Sequence, residues 1–432
     1  MSSSASGASL HIDSSPIFHS RRSTCRVRPP KSTNVFPAQP IYTFSPANST
    51  LSLTSGHPTL VKRFGSSTSV PKAMSDEYEF RFDLLHVHPS PTEDLYDKKI
   101  RPVVKAALGG FNGTVFAYGQ TASGKTHTML GSPSEPGIIP LAIDELFSHI
   151  HSQHSRRSYS LRVSFLEIYN EQLRDLLASS TIGKGPEIVE NGMVKNLEER
   201  AVGLPEEVLE VLKEGEMRRR VGATDWNERS SRSHCVFIVV RPPTCADLHA
   251  PQNLIDLAGS ESATGQEERR KEGAFINKSL LTLGTVIGKL TDPTTSTAHI
   301  PYRDSKLTRL LQPALSGNSR VAVVCTVSPD AEQATETLST LKFAKRATMV
   351  VTKAERGVVR RSLFQLRPKH RSQDSLTACY RRRHAQALRR PNRPPRIANL
   401  LPRIAHSRLR TRRCFRSSHR SRTSRSRTAV GA

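Results

Sequence analysis

A glycine-rich loop that ends in Lys-Thr constrains the fold of this 432-residue chain more than any other feature. The stretch G-Q-T-A-S-G-K-T (119–126) fits the pattern G-x-x-x-x-G-K-[ST], and the apolar run G-T-V-F-A-Y precedes it. Small residues let successive backbone N–H groups surround a phosphate, and the N-terminus of a following helix adds positive potential. The sequence therefore predicts a strand, a phosphate-binding loop and a helix in direct succession.

The residues of this loop have predicted contacts with a nucleoside triphosphate. We expect Lys125 to reach the β- and γ-phosphates, and the Thr126 hydroxyl to hold Mg²⁺. A glycine-rich turn without a ligand is the alternative, which the flanking strand and helix patterns disfavour. The other residues predicted to bind the nucleotide are Gly119, Gln120, Thr121, Ala122, Ser123, Gly124 and His127.

Two downstream segments supply what a sensor of the third phosphate needs. In N-L-I-D-L-A-G-S-E (253–261), Asp256 would bind Mg²⁺ through water, and the Gly259 N–H would sense the γ-phosphate. In D-W-N-E-R-S-S-R-S-H (225–234), hydroxyls and an Arg could cradle that phosphate and an attacking water. Taken singly, the first pattern is common and the second is typical of a polar loop. A GTPase is disfavoured, because N-K-S-L (277–280) lacks the acid that pairs with guanine.

The spacing of apolar residues predicts an α/β fold. Strands that alternate with helices indicate a mixed sheet covered by helices on both faces. Residues 42–75 are rich in Ser, Thr and Pro, and we expect them to be weakly structured. The predicted strands are 78–83, 113–119, 160–170, 234–240 and 320–327, and the predicted helices are 94–108, 202–215 and 279–290.

The net charge of +26 is concentrated at one end of the chain. From Arg356 to Ala432, 22 Arg and 1 Lys face one acid, Asp374, which leaves +22 there and +4 on residues 1–355. We expect this tail and the Ser-rich residues 1–20 to be disordered, because they cannot bury enough apolar surface to offset the entropy of ordering. The cysteines form no C-x-x-C pair, which favours a reducing compartment, and no apolar run approaches a membrane span.

Six motifs follow one another across residues 24–350: F-A-Y-G-Q-T-A-S-G-K-T-H-T-M, N-E-R-S-S-R-S-H, D-L-A-G-S-E, I-N-K-S-L-L-T-L-G, H-I-P-Y-R-D-S-K-L-T-R-L-L-Q and T-L-K-F-A-K-R-A. Taken together and in this order, they resemble the kinesin motor domain, and T-D-W-N-E-R-S-S-R-S-H with L-G-T-V-I-G-K-L is similar to the kinesin-7 branch. The resemblance implies a P-loop NTPase fold with a central, mixed, mostly eight-stranded sheet and helices on both faces. It also implies a motor domain at 21–346 and a neck-linker-like segment at 347–355, whereas the tail at 356–432 departs from the family pattern.

The resemblance also implies roles for single residues in binding and hydrolysing ATP with Mg²⁺. Ser230 and Ser231 match switch hydroxyls near the γ-phosphate, the second of them close to Mg²⁺ and the attacking water. Arg232 and Glu261 match an ion pair that closes only over intact triphosphate, and Asn277 matches a residue that helps this closure. The residues that match positions lining the adenine are Arg26, Pro29 and Tyr96.

The resemblance further implies a microtubule-stimulated ATPase that moves along cytoplasmic microtubules, the spindle included, towards the plus end. A relay helix at 276–290 would carry the loss of the γ-phosphate to the filament face. Basic side chains there suit acidic tubulin, whereas a solvated charged face is the alternative interpretation. The residues of the predicted filament face are Arg269, Arg270, Lys271, Lys278, Arg303, Lys306 and Arg309.

Three departures from the family pattern keep a second hypothesis open, a microtubule-binding kinesin-fold protein with impaired ATPase. The polar H-S-R-R-S-T (19–24) stands where an apolar strand is expected, so that start looks replaced or truncated. Pro251 lies in a predicted central strand, where it cannot donate to the ladder, so half a hairpin looks missing from 241–253.

The tail after residue 355 is the third departure, because it shows no heptads that would support dimerisation. It is either a basic arm for acidic tubulin tails or nucleic acid, or an out-of-frame or mis-spliced translation, which the near-absence of Lys favours. A nucleic-acid-stimulated ATPase that uses this tail is disfavoured, because Tyr380 and Phe415 stand alone.

Overall fold

The computed structural model describes an α/β unit built on one large sheet. The described residues are 22–29, 42–54, 79–152, 161–178, 184–221, 231–240, 251–261, 267–292, 294, 299–350 and 354, without the side chains of 22, 221 and 267–277. The chain divides into two units, Met1–Arg361 and Ser362–Ala432, and all described residues belong to the first. The predicted arm at 1–20 and tail at 356–432 lie outside them.

Nine strands of the described residues form the central sheet. Eight of them lie side by side in the order β11-β7-β12-β13-β6-β14-β1-β5. The ninth, β8, pairs with the last four residues of β7, Leu166 to Tyr169. Pairing is parallel from β13 through β6, β14 and β1 to β5, and antiparallel among β11, β7, β12 and β13. The strands are β1 (Arg22–Val27), β5 (Leu84–Val87), β6 (Gly113–Tyr118), β7 (Leu161–Tyr169), β8 (Gln172–Asp175), β11 (Arg200–Val202), β12 (His234–Val240), β13 (Gln252–Asp256) and β14 (Arg320–Val327).

Two small sheets lie beside the large one. The first has the order β2-β3-β4, and the second pairs β9 with β10. Their strands are β2 (Tyr42–Ser45), β3 (Thr50–Leu53), β4 (Glu79–Arg81), β9 (Glu187–Ile188) and β10 (Val194–Lys195).

Helices cover both faces of the central sheet, as the sequence predicts, and each face has its own apolar cluster. One cluster joins the sheet to α2, α4 and α5, and the other joins it to α6, α7, α8 and α9. Tyr118, at the end of β6, stacks on Phe343 of α9 with ring centroids 3.7 Å apart. The helices are α1 (Thr92–Leu95), α2 (Arg101–Leu108), α3 (Lys125–Met129), α4 (Ile138–Ser152), α5 (Pro205–Val221), α6 (Glu267–Thr291), α7 (Lys306–Leu310), α8 (Gln312–Leu315) and α9 (Ala334–Thr348).

The predicted helices and strands are present, with altered bounds. The helix predicted at 94–108 consists of α1 and α2 joined by a π-helical turn, Tyr96–Ile100. The helix predicted at 279–290 begins twelve residues earlier, because polar residues extend it beyond its apolar face. Among the described residues, none of the helices combines the length and the apolar character that a membrane crossing requires.

The prediction of weak structure at 42–75 is wrong for its first part. Residues 42–53 form the β2–β3 hairpin, which pairs onward with β4. Tyr42, Leu51 and Phe80 have exposed fractions of at most 1%, so three buried side chains hold this small sheet despite its polar composition. Residues 55–75 lie outside the described part.

The two strands that the sequence made doubtful are both formed. Strand β1 pairs with β14 from Arg22 to Val27 and with β5 from Thr24 to Val27. Its buried residues Ser23, Thr24 and Cys25 have small side chains that suit a close-packed sheet centre. Strand β13 pairs with β12 and β6 over five residues. Pro251 precedes this ladder, and its carbonyl accepts a hydrogen bond from the Gly113 N–H at 3.2 Å. Its missing N–H therefore leaves no gap in the central sheet.

Candidate active site

The candidate active site lies where β6, β13 and β14 end. Residues 119–124 leave β6 and enter α3, and the residues after Asp256 leave the neighbouring strand β13. Ligands of open parallel sheets bind beyond the carboxyl ends of the strands, so the topology brings the two predicted phosphate-sensing segments together.

The phosphate loop closes tightly on itself and on β14. Ser123 Oγ donates to the Gln120 carbonyl at 2.7 Å and lies 2.6 Å from Thr326 Oγ1 of β14. Gly124 has a φ of 101°, a left-handed conformation that favours glycine, and it leads directly into α3. The loop is therefore a pre-formed cradle of backbone N–H groups at a helix N-terminus, as the sequence predicts.

Lys125 lies over the cradle with only 7% of its surface exposed. Its Nζ donates to the carbonyls of Gly119 at 3.0 Å and Gln120 at 2.8 Å. Burial lowers the pKa of Lys125, and the charges of Asp256 and Glu261 partly oppose this shift. A buried ammonium whose hydrogen bonds within the described residues go to carbonyls is suited to receive an anionic phosphate.

Two of the residues predicted to bind Mg²⁺, Thr126 of α3 and Asp256 at the end of β13, contact each other. The Thr126 hydroxyl donates to Asp256 Oδ2 at 2.6 Å, whereas Asp256 Oδ1 is buried without a hydrogen-bond partner among the described residues. A hydroxyl, a carboxylate and an unused carboxylate oxygen form a hard oxygen set, which fits Mg²⁺ in a phosphate site. Ser231, the third predicted ligand, reaches this cluster through its backbone, because its carbonyl accepts from the Gly259 N–H at 2.7 Å.

Glu261 contacts the phosphate loop in this conformation. Its carboxylate accepts from the Thr121 N–H at 2.7 Å and from the Thr121 hydroxyl. The Ser260 N–H donates to the Gly119 carbonyl at 3.0 Å, so the whole segment is fastened to the loop. The predicted pairing of Glu261 with Arg232 stays a prediction.

Some predicted residues cannot be placed. Ser230 lies outside the described residues. Asn277 lies on α6, as do Arg269, Arg270 and Lys271, but the side chains of all four are outside the described part. Their assigned roles stay predictions.

The residues predicted to line the adenine differ in their burial. Arg26 lies near the end of β1 with 12% of its side chain exposed, and Pro29 follows that strand. His127, predicted to bind the nucleotide, has a side chain that is 47% exposed on α3. Tyr96 is 1% exposed, and its ring packs in the core cluster of α2 and α4. This is a correction, because a ring so deeply buried supports the wall and offers no face to a base.

His234 is a candidate site residue that the sequence analysis did not assign to a role. Its Nδ1 accepts from the Ala258 N–H at 3.0 Å, and its Nε2 lies 2.8 Å from Ser279 Oγ of α6. Burial, together with the charges of Lys125 and Arg219, lowers the pKa of His234 to about 3. The neutral ring therefore joins the segment after β13 to the predicted relay helix. The histidine that ends R-S-S-R-S-H was the available signal.

Arg219 of α5 holds the segment before β12. Its guanidinium donates to Ser233 Oγ at 3.0 Å and lies 3.8 Å from Glu167 of β7. The exposed fraction of Arg219 is 2%. In the sequence, R-R-R (218–220) is typical of a helix end, so this buried role had no local signal.

The predicted filament face is exposed and basic where it is described. Lys278 and Arg303 are exposed, and Lys306 and Arg309 are half-buried on α7. Lys278 also lines a surface depression of about 410 Å³ together with Leu281, whose exposed fraction is 69%.

A carboxylate from the β7–β8 turn fixes the start of α7. Glu171 accepts from Ser305 Oγ and from the Lys306 N–H, each at 2.6 Å, while Ser305 Oγ accepts from the Leu307 N–H. The position of the basic residues of α7 therefore depends on a turn more than 130 residues earlier.

Comparisons with known proteins agree with this geometry. A family profile described as the kinesin motor domain matches residues 41–350. The Arabidopsis thaliana "Kinesin-like protein KIN-7M, chloroplastic" is 47% identical over 303 residues, which are 67% of this chain and 28% of that protein. The Schizosaccharomyces pombe "Kinesin-like protein tea2" is 45% identical over 287 residues, which are 63% of this chain and 45% of that protein.

One solved structure of a fast kinesin is also similar, with a TM-score of 0.66 and 36% identity. The match covers 80% of this chain and 96% of that one. The matched region thus spans less than half the length of these two curated relatives but nearly the whole of that solved chain.

Proposed function

This chain belongs to the kinesin motor-domain family, and from that premise we propose that it is an ATP-driven microtubule motor of the kinesin-7 type. One observation carries the proposal: the phosphate loop, the segment around Ser231 and the segment after Asp256 are bonded to one another. The contacts are Thr126–Asp256, Gly259–Ser231 and Glu261–Thr121. A ligand bound in the loop would therefore displace the segment around Ser231 and the segment after Asp256, which are the two switch segments.

The reaction is an in-line attack of water on the γ-phosphate of ATP, without a covalent intermediate. Lys125 and the loop N–H groups bind and orient the phosphates, and they stabilise the charge that develops on them. Thr126 and Asp256 would hold Mg²⁺, which when bound would neutralise negative charge on the phosphates.

Glu261 would change partners during the cycle. Its carboxylate is bound to Thr121 here, and over intact triphosphate it would pair with Arg232, as in the resemblance. The Gly259 N–H would likewise exchange the Ser231 carbonyl for the γ-phosphate. Both exchanges pull on residues 258–261, and His234 transmits that displacement from Ala258 to Ser279 on α6.

The α6–α7 surface would then alter its grip on the filament. Lys278, Arg303, Lys306 and Arg309 present positive charge from these two helices and the turn between them. Tubulin is acidic, so charge complementarity supports this face as the docking surface, with binding that weakens as salt rises.

The decisive experiment compares ATP turnover with and without microtubules. Purified protein should release phosphate much faster on microtubules, and it should sediment with them more strongly with a non-hydrolysable ATP analogue than with ADP. Binding to microtubules without any stimulated turnover would contradict the motor proposal.

The main argument for the second hypothesis, a microtubule-binding protein with impaired ATPase, no longer holds. That hypothesis depended on missing strands, and β1 and β13 are formed and paired on both sides.

We further propose plus-end-directed movement on cytoskeletal microtubules, including those of the spindle. Gliding of polarity-marked microtubules and imaging of the tagged protein in dividing cells test these two points.

A further inference from the structure

We propose that Glu135 is a positioning residue for the purine base of the nucleotide, because its carboxylate holds Arg26, a side chain expected to line that base. This inference rests on the proposed function and on the kinesin resemblance, which implies that Arg26 lies at the adenine. Glu135 lies in the loop between α3 and α4, outside every motif that identifies the site.

The Glu135 carboxylate has four donors or positive neighbours around it. Oε1 accepts from Arg26 at 3.2 Å, from the Thr92 N–H at 2.9 Å and from the Thr92 hydroxyl at 2.5 Å. Oε2 lies 3.9 Å from His127 Nε2. One side chain thus joins the end of β1, the start of α1 and the exposed face of α3.

Arg26 is held at a second point, which connects it to the phosphate loop. Its other terminal nitrogen donates to the Thr128 hydroxyl at 3.2 Å, and that hydroxyl donates to the Gly124 carbonyl at 2.7 Å. With both ends of the guanidinium fixed, its plane has one orientation relative to the cradle. A base that stacks on it is then placed at a set distance from the phosphates.

The loop that carries Glu135 is itself closed by hydrogen bonds. The Ser132 N–H donates to the Glu135 carbonyl at 2.8 Å, and the Glu135 N–H contacts the Ser132 carbonyl and hydroxyl. The Gly137 N–H donates back to the Leu130 carbonyl. The carboxylate is therefore pre-organised, so binding a base costs little further ordering.

Charge chemistry explains why a carboxylate is needed at this position. Burial raises the pKa of Glu135, but the hydrogen bonds from Thr92 and the charges of Arg26 and His127 outweigh it and hold that pKa below its usual value. The Arg26 guanidinium is largely buried and needs an anionic partner. An amide at position 135 could keep one oxygen acceptor for these donors, but it would lack the negative charge that compensates the Arg26 guanidinium. The contacts of Oε1 are all to protein donors, so we assign this carboxylate to orienting Arg26.

The experiment distinguishes an effect on binding of the base from an effect on binding of the phosphates, by comparing ADP with pyrophosphate. ADP and inorganic pyrophosphate each displace a fluorescent ADP analogue from the wild type, from Glu135→Gln and from the control Glu145→Gln. The control removes the same charge from an ion pair with Arg101 between α2 and α4. We expect Glu135→Gln to weaken ADP binding about 10-fold, as for the loss of one charged hydrogen bond, and to leave pyrophosphate binding unchanged.

If Glu135→Gln weakened the binding of ADP and of pyrophosphate to the same extent, the inference would be overturned, because Glu135 would then only support the loop. Unchanged ADP binding would overturn it as well. In steady state, the KM for ATP should rise while kcat stays within about twofold, the pattern of lost uniform binding.

A second variant keeps the test valid if Glu135→Gln folds poorly. Thr92→Val removes one hydroxyl donor to Glu135 but leaves the backbone donor, so it should shift ADP binding alone, by about threefold. The displacement assay needs no turnover. A wild type without microtubule-stimulated ATPase would therefore disprove the proposed function, whereas a lost contrast between ADP and pyrophosphate would disprove only the role of Glu135.

Discussion

The phosphate end of this molecule and its basic face are built in opposite ways. At the phosphate end, Lys125, Asp256 and His234 are at most 7% exposed, and each contacts another part of the chain. On the basic face, Lys278 and Arg303 are exposed, and the start of α7 is fixed by the contact of Glu171 with the Lys306 N–H.

This difference predicts how each region responds to substitution. A buried polar network fails when one partner is removed, because the remaining group loses its bond and cannot reach water. An exposed charged surface contributes through the sum of many weak, screened interactions. Effects should therefore be steep at the phosphate end and graded on the basic face, and four measurements probe this contrast.

Lys125→Ala should have the largest effect. It removes the charge expected to bind the β- and γ-phosphates, so ATP affinity should drop and turnover should fall by at least about 1,000-fold. Phosphate release on microtubules and ATP binding by equilibrium titration check this. Full ATPase activity in the variant would show that the phosphate loop is misinterpreted. Lys105→Ala, which alters a half-exposed ion pair on α2, is the control.

Glu261→Ala should separate binding from hydrolysis. The variant keeps the loop and Lys125, so ATP affinity should stay within about threefold, but hydrolysis should fall about 100-fold because the switch segments lose their ion pair. Single-turnover hydrolysis beside equilibrium ATP binding measures the two effects. Unchanged turnover would remove the role of Glu261 in closure.

His234→Phe should reduce the free energy of unfolding by about 2 kcal/mol, because it leaves the buried Ala258 N–H without its acceptor. The pH dependence provides a second readout. The pKa of His234 is about 3 in the folded state and about 6.5 in the unfolded state, so the unfolded state takes up the proton first. The stability that neutral His234 contributes is complete above pH 6.5 and is lost towards pH 3.

Urea unfolding of wild type and His234→Phe between pH 7 and pH 4 measures both effects. The variant should lose stability less steeply as the pH falls, since it lacks this group. Parallel pH profiles would show that His234 does not have the environment described here. Microtubule stimulation of the variant's ATPase should fall more than its basal rate, if His234 couples the site to α6.

Single substitutions on the basic face should have the smallest effects. Lys306→Ala and Arg309→Ala should each raise the microtubule concentration at half-maximal ATPase about two- to fivefold, and the basal rate should not change. The effect should shrink as salt rises from 50 to 200 mM, which titrations at both ionic strengths would show. A 100-fold loss from either change alone would break the proposed contrast between the two regions.

The same contrast determines what could be predicted from the sequence. The phosphate loop is local, so G-Q-T-A-S-G-K-T was enough to place a strand, cradle and helix. The partners of Glu261, His234 and Glu135 come from other elements, 24 to 140 residues away, and only the packed sheet brings them together. Exposed basic residues could be named from the sequence, but not the carboxylate of Glu171 that positions them.

The errors about strands came from reading local propensity without packing. The polar residues before Arg26 and the proline before β13 looked unsuited to central strands. In the sheet, Ser23 is anchored by its N–H to Asp83 at 2.7 Å, and small side chains suit a crowded position between two strands. Tyr96 shows the reverse error, since an aromatic residue assigned to a ligand is needed in the core.

Pro251 has a practical consequence for work on this protein. Pairing of β13 begins after the proline, and its register with β12 runs from Val239 opposite Gln252 to Cys235 opposite Asp256. Asp256 is therefore held by a cross-strand pair at the end of this ladder that lies away from Pro251. We expect an epitope tag inserted between positions 241 and 250 to leave this register, and with it ATP turnover, unchanged.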